Sequence, residues 1–210
     1  MWPKQESGPQ FCPIALFDDG SFPTLQAGIE WPLSERFSWY NELGIRYRKS
    51  QYDHADTSIL APRGFKAKTE LRYYITFRGK TPVYPEGYYL AANLFYAREK
   101  HTTGISYYYN GDSTVARRDN FGVRKRSLGL NLLAGRQVVL KGRFLLDLYA
   151  GIGIKPRRIT TLAKEYESGR DGLITAIDLT IQGIKNEAEA KGGHSIAGNL
   201  TAGLRLCLLL

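Results

Sequence analysis

The chain has 210 residues, 43% of them apolar, and a formal net charge of +9 at neutral pH. This apolar content is ample for a packed domain, but no apolar run approaches the roughly 18–20 residues that a transmembrane helix needs. The positive net charge is not accompanied by a basic helix or a nucleic-acid-binding motif, so we expect no nucleic-acid partner.

Alternation of apolar and polar residues with a period of two predicts strands along most of the chain. Seven segments show it clearly: residues 24–31, 37–49, 67–77, 87–98, 121–136, 143–154 and 196–208. Gln10–Leu16 is a weaker eighth strand, because Pro13 is tolerated only near a strand end or at a sheet edge.

The links between these strands alternate in length. Residues 32–36, 78–86 and 137–142 form short links, whereas residues 50–66, 99–120 and 155–195 form long polar ones; residues 17–23 are a short link that breaks the order. Outer-membrane barrels have short turns on the periplasmic side and long loops outside. The pattern therefore predicts an all-β fold, an eight-stranded antiparallel up-and-down transmembrane β-barrel over residues 10–210, after a disordered segment over residues 1–9.

The structure of the last long link, residues 156–194, is left open. Leu173, Ile177, Ile181 and Ile184 fit a helical stripe, but the same stretch also fits a strand. We interpret it as loop structure folded over the mouth of the barrel.

Carboxylates and guanidinium groups share the polar faces of the strands with Gly, Asn and Tyr. Side chains fill the interior of an eight-stranded barrel, and charges there must be paired because an unpaired buried charge is costly. We therefore expect a closed, salt-bridged interior with no open pore. Its predicted members are Glu30, Glu42, Arg46, Glu70, Arg72, Asp147 and Arg205.

Aromatic residues lie at the ends of the apolar rows. Tyr88 and Tyr96 begin and end the row that contains Leu90 and Leu94. Aromatic belts of this kind are typical of the two membrane interfaces. The apolar rows therefore face lipid in this interpretation.

Several segments resemble a known family. The ending TAGLRLCL (residues 201–208) resembles the C-terminal signal of outer-membrane barrels, although its last residue is Leu rather than an aromatic one. The segments FPTLQAGIEWPLSERFSWYNELGIRYR, LRYYI, EGYYLAANLFY, SLGLNLLAGRQ and GRFLLDLYAGIGI resemble an uncharacterised OmpA-like outer-membrane β-barrel family. The resemblance covers about residues 10–208 and implies a location in the outer membrane of a Gram-negative bacterium. It implies no activity and no site residues.

Residues 1–10 lack the charged and apolar regions of a signal peptide. Because an outer-membrane protein needs such a peptide, either this chain is a mature or trimmed form or the expected outer-membrane location is wrong.

A basic cluster lies beside one of the predicted outer loops. Its members are Arg117, Arg118, Arg124, Lys125 and Arg126. Guanidinium groups recognise phosphate well, so we expect this cluster to contact lipopolysaccharide phosphates. The expected partners are outer-membrane lipid, lipopolysaccharide and an unknown extracellular partner bound through the loops.

The two cysteines, Cys12 and Cys207, have no metal or redox spacing. A closed barrel brings their strands together, but the strand parities can place them on opposite faces. The sequence therefore disfavours a disulfide without excluding it.

We predict no catalytic, cofactor or metal site and expect no enzyme. The histidines His54, His101 and His194 lie in or beside predicted outer loops, and the neighbours His194 and Ser195 point to opposite faces of a strand. Two alternatives stay open: a soluble lipocalin-like carrier with the apolar rows turned inward around a ligand, and an outer-membrane lipid-modifying enzyme.

Overall fold

The computed structural model describes residues 8–16, 24–46, 60–75, 85–140, 143–174 and 189–210. The strands are β1 (Gln10–Leu16), β2 (Thr24–Pro32), β3 (Phe37–Arg46), β4 (Leu60–Ile75), β5 (Gly87–Tyr108), β6 (Ala116–Val139), β7 (Phe144–Leu162), β8 (Gly172–Leu173) and β9 (Gly193–Leu209). A 3₁₀ turn, Tyr109–Gly111, lies between β5 and β6. No helix among the described residues has the length and apolar character needed to cross a membrane.

Eight of the strands form one antiparallel sheet that closes in a ring. Each strand from β1 to β6 pairs with the next, β9 pairs with both β7 and β1, and the β4–β5 pairing completes the circle. The two-residue strand β8 pairs only with the end of β5. The prediction of eight antiparallel strands is confirmed, and ring closure leaves none of the eight as an unpaired edge.

The strands extend further into the predicted long links than the sequence analysis expected. Residues 99–120 were predicted as a loop, but β5 and β6 continue through them as a hairpin that ends at the 3₁₀ turn. The strands continue because Ile105, Tyr107, Phe121 and Val123 keep alternating inward and pack together. Likewise β4 begins at Leu60, β7 ends at Leu162 and β9 begins at Gly193. Residues 175–188 of the last link, and the predicted disordered residues 1–7, lie outside the described part of the chain.

Burial alternates along the strands, with the polar face inside the ring. In β3, Ser38, Tyr40 and Glu42 are buried, whereas Trp39 and Leu43 are exposed. The other long strands show the same pattern of buried polar and exposed apolar side chains. Leu90, Leu130 and Ile152 belong to their exposed rows. Large apolar side chains therefore cover the outer surface, and charged or hydroxyl groups fill the centre.

Glycines make room for aromatic rings inside the ring. Tyr89 lies directly opposite Gly135, and Tyr149 directly opposite Gly203. A Cβ atom at either glycine would stand 2.3 Å from an atom of the facing tyrosine, much closer than van der Waals contact. These close approaches explain the glycines on the polar faces of the strands.

A disulfide joins Cys12 of β1 to Cys207 of β9. The disfavoured disulfide is therefore present, and that expectation was wrong. The β1–β9 register pairs Gln10 with Leu209 and Phe11 with Leu208, which sets the two cysteines opposite each other on the inner face. The register shifts between Phe11 and Ile14, and the bond and the burial of both cysteines show that their two parities agree.

Candidate functional site

Six charged side chains meet in the centre of the ring, contributed by five strands. They are Glu30 of β2, Glu42 of β3, Glu70 and Arg72 of β4, Asp147 of β7 and Arg205 of β9, and each is at most 2% exposed. We call these six residues the interior network. All six were among the predicted interior members, and their inward parity on each strand brings them together.

The two guanidinium groups hold the four carboxylates. Arg72 donates to Glu30 at 2.8 Å, to Glu70 at 2.7 Å and to Asp147 at 3.0 Å. Arg205 donates to Glu42 at 3.0 Å, to Glu70 at 2.5 Å and to Asp147 at 3.1 Å. Because both arginines share Glu70 and Asp147, the network is a single unit rather than separate ion pairs.

Aromatic rings stack on both guanidinium groups. The Arg72 guanidinium carbon lies 4.5 Å from the centre of the Tyr40 ring and 4.6 Å from that of Tyr89. Arg205 lies 4.3 Å from the Tyr40 ring and 4.0 Å from the Tyr149 ring. Cation–π contacts are strongest where water is excluded, so these rings stabilise the buried cations on the sides that carboxylates leave free.

Neutral donors add further hydrogen bonds to the buried carboxylates. The Tyr89 hydroxyl donates to Asp147 at 2.8 Å, and the Gln137 amide donates to Glu30 at 2.9 Å. Ser38 also donates to Glu30. Among the described residues the four carboxylates face two guanidinium groups and the Lys68 ammonium, which lies 3.3 Å from Glu42, so these neutral hydrogen bonds stabilise the remaining negative charge.

An amide ladder continues the polar interior beyond the interior network. Asn199 donates to Asn131, and Asn131 donates to Asn93, each at 2.9 Å. Beside them lies a cavity of about 10 Å³, which is room for about one water molecule. Side chains therefore fill this part of the interior.

Arg46, the seventh predicted member, does not join the interior network. It pairs with Glu99 of β5, nearer the end of the ring where the β5–β6 hairpin projects. This end is called the cap end below, and the end with the short links is called the turn end. Arg46 has the predicted inward parity but lies four residues further along β3 than Glu42, where its partner is the Glu99 carboxylate rather than a carboxylate of the interior network.

A cap covers the cap end of the ring; it consists of residues 163–174 and 189–191. Asp119 accepts hydrogen bonds from the backbone N–H groups of Glu165 and Tyr166, at 2.7 and 3.0 Å. Asp171 accepts one from the backbone of Asn110 at 3.1 Å. Hydrogen bonds donated by the adjacent Arg170 hold the pKa of Asp171 well below its usual range.

A second anchor of the cap is Glu189, which lies between His101 and Lys125. Its carboxylate is 2.9 Å from His101 Nε2 and also accepts from the Lys125 ammonium. We call these three residues the Glu189 cluster. Burial opposes ionisation of Glu189, but the hydrogen bond with His101 and the charge of Lys125 outweigh it and lower the pKa of Glu189.

The predicted lipopolysaccharide-binding residues do not share one surface. Arg124 and Arg126 have outward parity on β6. Lys125 points inward to Glu189, and Arg117 stacks on the Tyr109 ring at 4.0 Å, near the tip of the hairpin. Arg118, also close to the tip, is exposed. Only the first two lie next to the apolar rows.

The exposed apolar rows form a band around the ring between aromatic residues at both ends. At the turn end the rings of Trp31 and Trp39 are 6.0 Å apart, and at the other end those of Phe65 and Tyr96 are 5.7 Å apart. The exposed aliphatic residues of the band include Leu43, Leu71, Leu90, Leu94, Leu128, Leu130, Leu132, Leu148, Ile152, Ile154 and Leu200. From Tyr88 to Tyr96 the band spans roughly 20 Å for a strand tilted by about 40°.

The sequence analysis placed Gly, Asn and Tyr residues on the polar faces but missed two neutral members of the interior. Tyr89 and Gln137 were missed, although both continue the inward parity of their strands. Gln137 was placed in a short link, but it lies within β6 and is fully buried. The signal that identifies both is the continued alternation rather than the residue type.

The histidines are separated in the structure. His101 is buried inside the ring, His194 lies on the outer surface, and His54 is outside the described residues. Among the described residues no group of three or more His, Cys, Asp and Glu side chains is arranged to hold a metal ion.

No protein family, curated protein sequence or solved structure matches this chain. The resemblance to the OmpA-like family therefore stays a prediction.

Proposed function

We propose that this protein is a small outer-membrane β-barrel with a structural or surface-interaction role and a closed interior. The observation that carries the proposal is the inversion of polarity, with an ion-pair network in the centre and an apolar band outside. A folded protein in water rarely exposes so large a continuous apolar surface. A bilayer is the solvent in which this arrangement is favourable, because closure satisfies the backbone hydrogen bonds of the ring.

Two further observations support this location. Aromatic pairs lie at both ends of the band, where outer-membrane barrels carry their aromatic girdles. The Cys12–Cys207 disulfide fits a chain that folds outside the reducing cytoplasm. The partners proposed with this function are outer-membrane lipid, lipopolysaccharide and an extracellular partner that binds the loops.

The filled interior weighs against the lipocalin-like carrier. A carrier of that kind needs an apolar cavity of several hundred Å³, whereas the cavity beside Glu70 and Asn131 holds about 10 Å³. The lipid-modifying enzyme lacks support because His194 and Ser195 have opposite parities on β9, and His101 is engaged with Glu189. We therefore propose no catalytic activity.

Tryptophan quenching in lipid vesicles tests the membrane location. The variant Trp2→Phe leaves Trp31 and Trp39 as reporters at one end of the band. We expect phospholipids brominated near the headgroup to quench them more strongly than phospholipids brominated near the chain ends. A matched control carries Leu130→Trp in a background without other tryptophans, and its quenching should favour the deeper bromines.

The result that contradicts the proposal is a protein that stays in solution without detergent and shows no quenching by either lipid. Planar-bilayer recording tests the closed interior separately. We expect no steady conductance from the inserted protein, and a stable open channel would refute the closed interior while leaving the membrane location intact.

A further inference from the structure

Six cationic side chains from four neighbouring strands form a patch on the outer surface, just beyond the cap end of the apolar band. We call it the basic patch; its residues are Arg63, Arg98, Lys100, Arg124, Arg126 and Arg158. Arg98 lies directly opposite Arg126, which in turn lies opposite Arg158. In the next row, Lys100 lies between Arg63 and Arg124.

The basic patch lacks a counter-charge among the described residues. None of its six side chains forms an ion pair with a described carboxylate, and the flanking outward positions hold Thr102, Gly122 and Thr160. Like charges directly opposite each other on neighbouring strands destabilise a sheet. The positive charges of Arg124 and Arg98 hold the pKa of Lys100 below its usual range. An anion bound from outside would relieve this repulsion.

An open groove of about 530 Å³ adjoins the basic patch. Its lining includes Arg126, Arg158 and His194 from one row across the strands, and Leu128 and Ile196 from the next row. The groove lies where the β6–β7 ladder has no paired residues between Ser127–Arg157 and Leu130–Ile154. Pro156 lies in that gap, and it has no backbone N–H to donate.

The basic patch and the groove lie side by side, and together they indicate which class of ligand binds there. The row next to Arg98, Arg126 and Arg158 along the strands is already apolar, and it contains Tyr96 and Leu128. A soluble polyanion would use the basic patch but leave the apolar side of the groove exposed. A zwitterionic lipid would use the groove but bring no net charge to the basic patch. A lipid with a phosphorylated headgroup satisfies both.

We propose that the basic patch and the adjoining groove bind one phosphorylated lipid of the outer leaflet, of the lipopolysaccharide class. Arg98, Arg126 and Arg158 hold its phosphate, and an acyl chain lies against Leu128 and Ile196. The inference rests on the proposed function, because such a lipid reaches the groove from the bilayer. It keeps Arg124 and Arg126 of the predicted contact set and replaces the other three residues with neighbours on β4, β5 and β7.

The test compares two variants that lose the same charge. The patch variant is Arg98→Gln/Arg126→Gln/Arg158→Gln. The matched control is Arg36→Gln/Arg136→Gln/Arg143→Gln, whose three arginines are exposed at the turn end. Each protein is reconstituted in phosphatidylcholine bilayers that contain a little bis-phosphorylated lipid A, or the same lipid with its phosphates removed. Native mass spectrometry then counts the lipid A molecules that each protein retains.

We expect wild type and control to retain one lipid A, the patch variant to bind it roughly tenfold or more weakly, and Arg126→Gln alone to show a smaller loss. Equal retention by patch variant and control, or equal retention of the dephosphorylated lipid, would overturn the proposal. Displacement by inorganic phosphate would identify a free-phosphate site and overturn it as well. A failure of the proposed function itself is distinguishable, because that protein would not enter the bilayer and its tryptophans would escape the bromines.

Discussion

Removal of Arg205 tests whether the interior network holds the ring together. Arg205 is fully buried and is within hydrogen-bond distance of Glu42, Glu70 and Asp147. In Arg205→Gln, four carboxylates share one guanidinium group and the Lys68 ammonium. Loss of one partner from a buried ion pair typically costs about 3–5 kcal/mol.

The free energy of protonating one carboxyl sets an upper limit on the destabilisation of Arg205→Gln. The variant can relieve the excess charge if one carboxyl takes up a proton. For a carboxyl with an ordinary pKa near 4.3, this costs about 4 kcal/mol at pH 7 and about 1 kcal/mol near pH 5. We therefore expect Arg205→Gln to lower the free energy of unfolding by about 3–5 kcal/mol at pH 7, and by much less near pH 5.

The assay is urea unfolding of the protein in lipid vesicles, followed by the fluorescence of Trp31 and Trp39. Arg143→Gln is the control; Arg143 is exposed in the turn before β7, so its loss should change the free energy of unfolding by at most about 0.5 kcal/mol. Arg205→Lys keeps the charge but loses the planar fork, so its penalty should depend little on pH. The reasoning is refuted if Arg205→Gln matches the control, or if its penalty is the same at both pH values.

Three further predictions concern the β1–β9 disulfide, the inner face and the cap. Replacing Cys12 and Cys207 with serine opens a loop with a sequence separation of 195 residues and should lower the free energy of unfolding by about 5 kcal/mol in the chain-entropy estimate. Wild type in excess reductant should unfold at the same urea concentration as this variant. If the variant and oxidised wild type have the same urea midpoint, the disulfide does not stabilise the fold. Gly203→Ala puts a Cβ 2.3 Å from a tyrosine hydroxyl oxygen and should destabilise by about 1–3 kcal/mol, whereas Gly198→Ala meets nothing within 4 Å; equal urea midpoints for the two variants would contradict the close approach. Because the pKa of Glu189 is lowered from 4.5 on folding, its contribution to holding the cap is complete above that pH and is lost as the pH falls through the lowered value; amide protection factors in the cap should therefore stay constant between neutral pH and 5 and fall only below 4.5, and a fall between neutral pH and 5 would argue against this anchor.

The sequence analysis predicted the parity of the interior correctly because alternation is a local property. A residue such as Glu70 shares a face with Arg72 whatever the rest of the chain does. The same reasoning failed at the ends of the strands. Residues 99–120 contain turn-forming and charged residues that read as a loop, but inward packing of Ile105, Tyr107 and Phe121 extends the sheet through them.

Which side chains pair with each other depended on the register between strands, and the sequence did not specify that register. Arg46 has the parity of the interior network but lies too far along β3, and it pairs with Glu99 instead. In the same way, Cys12 faces Cys207 only because β1 and β9 are paired in that register before the shift beyond Phe11.

The basic patch is likewise assembled by the pairing of neighbouring strands. In the sequence, the residues from Arg124 to Arg126 read as one run of positive charge. On the strand, Arg124 and Arg126 lie outside, while Lys125 points inward to Glu189. Pairing then adds Arg98 and Arg158, which lie 26 or more positions away along the chain.

Alternation along the chain was enough to predict strands with one apolar and one polar face, because a period of two fixes which side chains share a face. Which of the inward charges meet, and which lie apart as Arg46 does, depended on the fold. Closure of the sheet and its register bring residues from distant strands within hydrogen-bond distance, and neither is set by any single strand.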